Sequence, residues 1–273
     1  KDGLPKGQSY TYCLPEIRDE IERKSKCGVK YMFKIMHRQF NIVLISPDKS
    51  DSIRPYMNKA IKKIYMWLYV ASQYAKPKCS EQMNIYIYLT GLPKMLPEKE
   101  ATISKMNANT AFTTSCQTQT EIHVFRREEW FKTLIHETFH NMGMDFSAYD
   151  NNLINNEMYT MFPVNTDFRL YESYCEMWGE TMAILFNVYR SMRRNTKLED
   201  IQHRIPNMIK SVETAMVREA YHALFQVSKI LSHYGLTYDE LIKKTNGHNG
   251  CGYKEDTPVL SYFVIKSILM YNI

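Results

Sequence analysis

Apolar residues recur along this chain with two different periods, and the change of period divides it. "QFNIVLIS" (39–46) is a compact apolar run closed by "PDKSD", which predicts a buried strand. In 52–75 the apolar residues return at helical spacing with polar residues between them, which predicts a long amphipathic helix. "MNIYIYLT" (83–90) and "TEIHVFR" (120–126) alternate as strands do, while "NANTAFTTSC" (107–116), polar and β-branched, suits an exposed or edge strand. Ahead of these lie an irregular start and a short helix in "EIRDEIERKSKC".

After the last strand the helical period takes over. "REEWFKTLIHETFHNMG" (127–143) predicts a helix with Glu128 and Glu129 at its start and Gly143 at its stop. Further helices are expected over 170–191, about 198–232, 237–245 and 257–271, with breaks near Pro206, Gly235 and the loop holding Gly247 and Gly250. There is no internal repeat. The expected fold is therefore α+β in one domain. An N-terminal lobe, about 1–143, carries a mixed sheet, the long helix and the helix of 127–143; a mainly helical C-terminal lobe, about 144–273, follows.

Composition narrows the class without naming a function. With 44% hydrophobic and 23% charged residues the chain reads as a soluble globular protein. The net charge of +6 is scattered: "KKIYMW" and "YRSMRR" fall inside helical patterns and read as solvated faces, so nucleic acid is not an expected partner. No apolar run reaches the roughly 18–20 residues of a membrane span, so no membrane partner is expected. The opening "KDGLPKGQ" shows no secretory signal and no methionine, which leaves a removed leader compatible with the chain. Cys13, Cys27, Cys79, Cys116, Cys175 and Cys251 form no CxxC pair, and the expectation is reduced thiols in an intracellular setting.

The helix of 127–143 carries the chemistry. Phe131, Leu134, Ile135, Thr138, Phe139 and Met142 gather on one side of it, and His136 and His140 point to the other. Four-residue spacing stacks the two imidazoles so that their ring nitrogens can meet one ion, about 2.0–2.1 Å from each. Glu137 is rotated off that direction, where a carboxylate can reach a water held by the ion and act as a general base. Two imidazoles and a carboxylate make Zn2+ the default ion.

A third donor must come from elsewhere. Asp145 lies just past the helix but misses the spacing of families that place a ligand after the glycine, which here falls on Phe146. It suits a partner that orients a histidine, or a helix-end cap. In "YESYCEMWGETMAILF" (171–186), Glu172, Glu176 and Glu180 form a ladder on one helix face with Ala183. Tyr174, Met177, Trp178, Met182, Leu185 and Tyr189 fill the broad opposite face. Stacked carboxylates repel by a few tenths of a kcal/mol per pair. A cation before them would reverse that penalty.

With these two motifs the chain resembles the zincin metallopeptidases of the gluzincin type. In that group HExxH gives two ligands and a downstream helix gives a glutamate, followed four residues later by a supporting acid. "ESYCEMW" is similar to the glutamate helix of lethal-factor-like and thermolysin-like peptidases. The resemblance spans 124–186 and implies a zincin-like fold, with Glu172 as ligand, Glu176 as its support and Gly179 as a small residue at a helix contact. The same pattern placed one turn later would make Glu176 the ligand and Glu180 the support. It also implies a residue that stabilises the oxyanion. The lethal-factor-like tyrosine position is Asn165 here, which leaves Tyr159, His222 or His233 as substitutes. A further similarity, to HExxH proteins of large DNA viruses, implies an intracellular or virion-associated location.

The expected activity is zinc-dependent endopeptidase hydrolysis of a peptide or protein substrate laid along the edge strand near 107–116, with Glu137 as base. The competing expectation is a zincin-shaped structural or binding protein, for example a virion component, that keeps the metal for stability; Asn165 is the residue that favours it.

Overall fold

The computed structural model describes residues 7–193, 202–242 and 252–272. The expected helix limits near 198 and 245, the break at Gly247 and Gly250, and Cys251 lie outside these residues. In chain order the elements are α1 (Pro15–Lys24), β1 (Cys27–Ile35), β2 (Arg38–Ser46), α2 (Ser50–Tyr74), β3 (Gln82–Tyr88), α3 (Lys105–Ala108), β4 (Ala111–Thr113), β5 (Gln119–Val124), α4 (Trp130–Asn141), α5 (Asn152–Met161), α6 (Leu170–Arg193), α7 (Ile205–His233), α8 (Tyr238–Ile242) and α9 (Lys266–Tyr271). A short 3-10 turn (Gln8–Tyr12) precedes α1, and a π-helical segment (Leu260–Ile265) runs into α9. The fold is α+β.

Contacts group the chain into two compact units. The first takes the described residues up to Lys94 together with Asn109–Phe146; the second takes Met95–Ala108 and the described residues from Ser147 onward. This differs from a single cut at 143, because Met95–Ala108 belongs with the helical unit. Ile103 and Ala108 are buried in that unit's core, and Ile103 bridges to Glu255. His233 Nε2 bonds the Ala101 carbonyl at 2.8 Å.

In the first unit the strands form one mixed sheet in the order β1-β2-β3-β5-β4. β2, β3 and β5 run parallel; β1 pairs antiparallel with β2 and β4 antiparallel with β5. Alternate side chains share a face, and the register aligns Ile42, Ile85 and Ile122 across the three parallel strands. This apolar face packs against α2 and α4. The two helices meet through Trp67, whose indole N–H donates to Thr138 Oγ1 at 2.8 Å and whose ring stacks on Phe139.

On the opposite face Tyr86 and Phe112 sandwich the buried His123 ring, and Tyr10 of the N-terminal turn comes against Tyr88 and His123. Glu121 ties that turn down by accepting the amides of Gln8 (3.0 Å) and Ser9 (2.8 Å). A Cβ at residue 7 would stand 2.5 Å from Glu121 Oε2, so a larger residue there would displace that carboxylate. Burial by itself raises the Glu121 carboxyl, but the bond from His123 and the two amides outweigh it and bring it down to about 2. A carboxyl depressed on folding stabilises fully above its unfolded value near 4.5, and that contribution is lost as pH falls through the folded value. Glu121→Gln should therefore cost about 2–3 kcal/mol at pH 7 and nearly nothing close to pH 2. Urea denaturation of parent and variant at several pH values checks this; a gap that does not change with pH would contradict it.

The cysteine expectation needs correction. Cys79 and Cys116 form a disulfide. The loop entering β3 and the turn between β4 and β5 bring their Cα atoms to 4.9 Å, within bridging reach. A separation of 37 residues hides this in the sequence. Cys13 and Cys27 are not bridged.

In the second unit α6 packs against α7, α9 and the π-helical segment. Its buried stripe is Ser173, Cys175, Gly179, Ala183 and Phe186, rather than the aromatic face, which is only half-buried. Small residues along this stripe admit close neighbours, as where Ser173 Oγ donates to the Ser261 carbonyl at 2.8 Å. No helix among the described residues is long and apolar enough to cross a membrane.

Candidate metal centre

α4 owes its place to both ends. At its start Glu129 takes a left-handed conformation, with φ of 57°, and its carboxylate pairs with Lys94 at 3.1 Å. At its finish Gly143 adopts φ of 64°; the Gly143 amide bonds the His140 carbonyl and the Met144 amide bonds Phe139, the paired closure of a Schellman turn. A Cβ at Gly143 would lie 2.9 Å from Cys79 Sγ, so glycine is required both by conformation and by space.

Between these ends Leu134, Ile135 and Met142 are fully buried and hold the helix to the core. His136 and Glu137 are buried too, while His140 keeps slight exposure. The ring nitrogens His136 Nε2 and His140 Nε2 face each other at 3.1 Å. Nitrogens that point at one another can share a single proton or a single ion between their lone pairs. His140 Nδ1 sits 2.5 Å from Asp145 Oδ2, with the carboxylate only 3% exposed. A carboxylate accepting from Nδ1–H places the lone pair of that imidazole on Nε2, the nitrogen that faces His136, and this is the tautomer a metal requires. The donor set therefore fits a borderline-soft divalent ion such as Zn2+. The helix end itself is closed by the Gly143 turn.

Asn141 was not singled out in the sequence, yet it anchors the site. It is fully buried; its Nδ2 donates to Thr113 Oγ1 (2.5 Å) and the Thr114 carbonyl (2.8 Å), at the edge strand β4. Ser80 Oγ donates to the Asn141 side-chain oxygen or its carbonyl, at 3.0 and 2.8 Å, and accepts from Thr120. The residue after the second histidine thus locks α4 to the sheet edge. Its one visible signal was a poor helix former placed at a helix end.

The other expected residues lie in the second unit. On α6, Glu172, Glu176 and Glu180 are each half-buried. Glu180 has a counter-ion: Lys266 of α9, itself buried, lies 3.4 Å away and also reaches Glu219 at 3.8 Å. The third rung of the ladder is thus compensated within the unit. Tyr159, on α5, donates its hydroxyl to the Thr166 carbonyl at 3.1 Å, and its ring meets Phe168 edge-on. Asn165 is exposed. His233 is committed to Ala101, and the exposed His222 lies beside Gln226 and Glu219.

No family model matches the sequence, and neither a curated protein nor a solved structure matches it.

Proposed function

We propose that this chain is a zinc-dependent endopeptidase of the zincin type, working through His136, His140, Glu137 and Glu172. The observation that carries the proposal is the convergence of the two Nε2 atoms at 3.1 Å, with Asp145 bonded behind His140. The mixed sheet, its antiparallel edge strand and the histidine helix pinned to that edge by Asn141 support the same reading.

His136 and His140 supply two donors, and the carboxylate of Glu172 is the third. A bound Zn2+ would supply Lewis acidity toward a water and toward the scissile carbonyl. Asp145 keeps the proton of His140 on Nδ1. Glu137 takes a proton from the attacking water and delivers it to the leaving amine. Glu176, one turn beyond Glu172, orients that carboxylate. With Glu176 as ligand instead, the supporting acid would be Glu180, which is already paired with Lys266; this favours Glu172. The peptide adds to β4 as an extended strand, bonded through its main chain.

One observation favours a second reading, a zincin-shaped binding or virion protein with the metal kept for stability. Of the candidate oxyanion donors, Tyr159 donates its hydroxyl to the Thr166 carbonyl and His233 Nε2 bonds the Ala101 carbonyl. To serve in catalysis, Tyr159 must release Thr166. Digestion of a broad peptide library separates the two readings. Cleavage that a chelator stops and Zn2+ restores is the expected result; failure across the whole library would leave the binding protein.

A further inference from the structure

The Cys79–Cys116 bridge lies where the end of α4 is held both to the loop before β3 and to the edge strand β4. Cys79 is buried against Gly143, the turn that closes α4. Its neighbour Ser80, in a left-handed conformation, bonds Asn141 and Thr120. The Lys76 amide bonds the Met142 carbonyl. At the other end of the bridge, Cys116 lies two residues beyond Thr114, which with Thr113 is gripped by Asn141. The two cysteines differ in access: Cys79 is 1% exposed, whereas Cys116 is exposed.

We propose that this bridge is a thiol–disulfide exchange site, entered at Cys116 by a small thiol or dithiol, and that its redox state sets the order of β4 and of the α4 end. The attacking thiolate bonds to the Cys116 sulfur as the S–S bond breaks, and Cys79 leaves as a thiolate that takes up a proton. The second thiolate of a dithiol then attacks its own sulfur in the mixed disulfide. Cys116 is released and protonated, and the dithiol departs as a cyclic disulfide. Two electrons and two protons pass from dithiol to protein. Opening the bridge does not dissolve the sheet, because Ser80 and Gln82 keep their amide bonds to Gln117 and Thr118. What it frees is the three-residue strand β4, together with Asn141, which β4 holds. The device is independent of whether His136 and His140 take a metal.

The test uses the full chain in native buffer. After brief exposure to reduced glutathione and rapid alkylation, peptide mass spectrometry should find glutathione on Cys116 and the alkyl label on Cys79. Glutathione on Cys79, or a bridge that resists dithiothreitol without denaturant, overturns the proposal. After dithiothreitol, amides in 111–118 and 139–144 should exchange with deuterium roughly tenfold faster, with β1 and β2 unchanged and protection regained on reoxidation. Unchanged exchange in both segments, or an equal rise throughout the sheet, overturns it as well. Cys116→Ser should reproduce the reduced pattern; should that variant fail to fold, the reduced parent decides the matter.

Discussion

Glu137→Gln is expected to lower peptide hydrolysis by about a thousandfold while Zn2+ remains bound at the parent stoichiometry. General-base catalysis contributes about 10²–10⁴-fold, and an amide of nearly the same shape removes that share alone. The side chain is buried on a helix whose apolar face and both ends are held independently of it, so the fold should survive. Steady-state cleavage of a peptide found in the library digest, with metal content measured on the same sample, checks both halves. If the variant cleaves as fast as the parent, Glu137 is not the base. If it loses the metal, Glu137 is a ligand and the assignment of donors on α4 must be redrawn.

The parts of the structure legible in the sequence are those where one period runs long without interruption. α2 and α6 are helices of 25 and 24 residues, close to the segments expected for them. β3 and β5 each start one residue ahead of the alternating runs and end within them, and β4 takes the sheet edge that its polar composition suggested. β1 was missed although Val29, Tyr31 and Phe33 alternate with Lys30, Met32 and Lys34. Its outward side is basic and its inward side modest, so no compact apolar run marks it, and its burial comes from pairing with β2. α5 was missed for a related reason. Only Met158 is buried in it, so it shows almost no apolar stripe.

Pro206, a helix breaker by its sequence, instead starts a helix, standing in the first turn of α7 where its missing N–H costs nothing. At the candidate centre the two histidines and their separation from the apolar stripe were visible, because both depend on spacing within one helix. The bond from Asn141 to β4, the Cys79–Cys116 bridge and the Lys266–Glu180 pair were not visible. Each joins residues 28 or more positions apart, and only the folded chain makes them neighbours.

His140→Ala should abolish stoichiometric Zn2+ binding. Apparent binding energies of about 10–16 kcal/mol for four-ligand zinc sites come to roughly 2.5–4 kcal/mol per ligand, so losing one imidazole weakens binding about 10²–10³-fold. Asp145→Asn is the gentler counterpart. It keeps an acceptor beside Nδ1 but removes the charge that favours Nδ1–H, and outer partners of this kind carry about 10–100-fold in affinity. The order of losses is therefore His140→Ala greater than Asp145→Asn. On α6, Glu172→Gln should weaken the metal more than Glu176→Gln, and the reverse order would make Glu176 the ligand. Elemental analysis of each purified variant, followed by competition against a chromogenic chelator, measures the series. Thermal melts of the metal-free proteins separate loss of a donor from loss of fold, since the Schellman turn and the Asn141 bonds that hold α4 use none of the four substituted side chains. If parent and His140→Ala bind Zn2+ equally, the convergence of the two imidazoles is a packing arrangement, and the endopeptidase proposal falls with it.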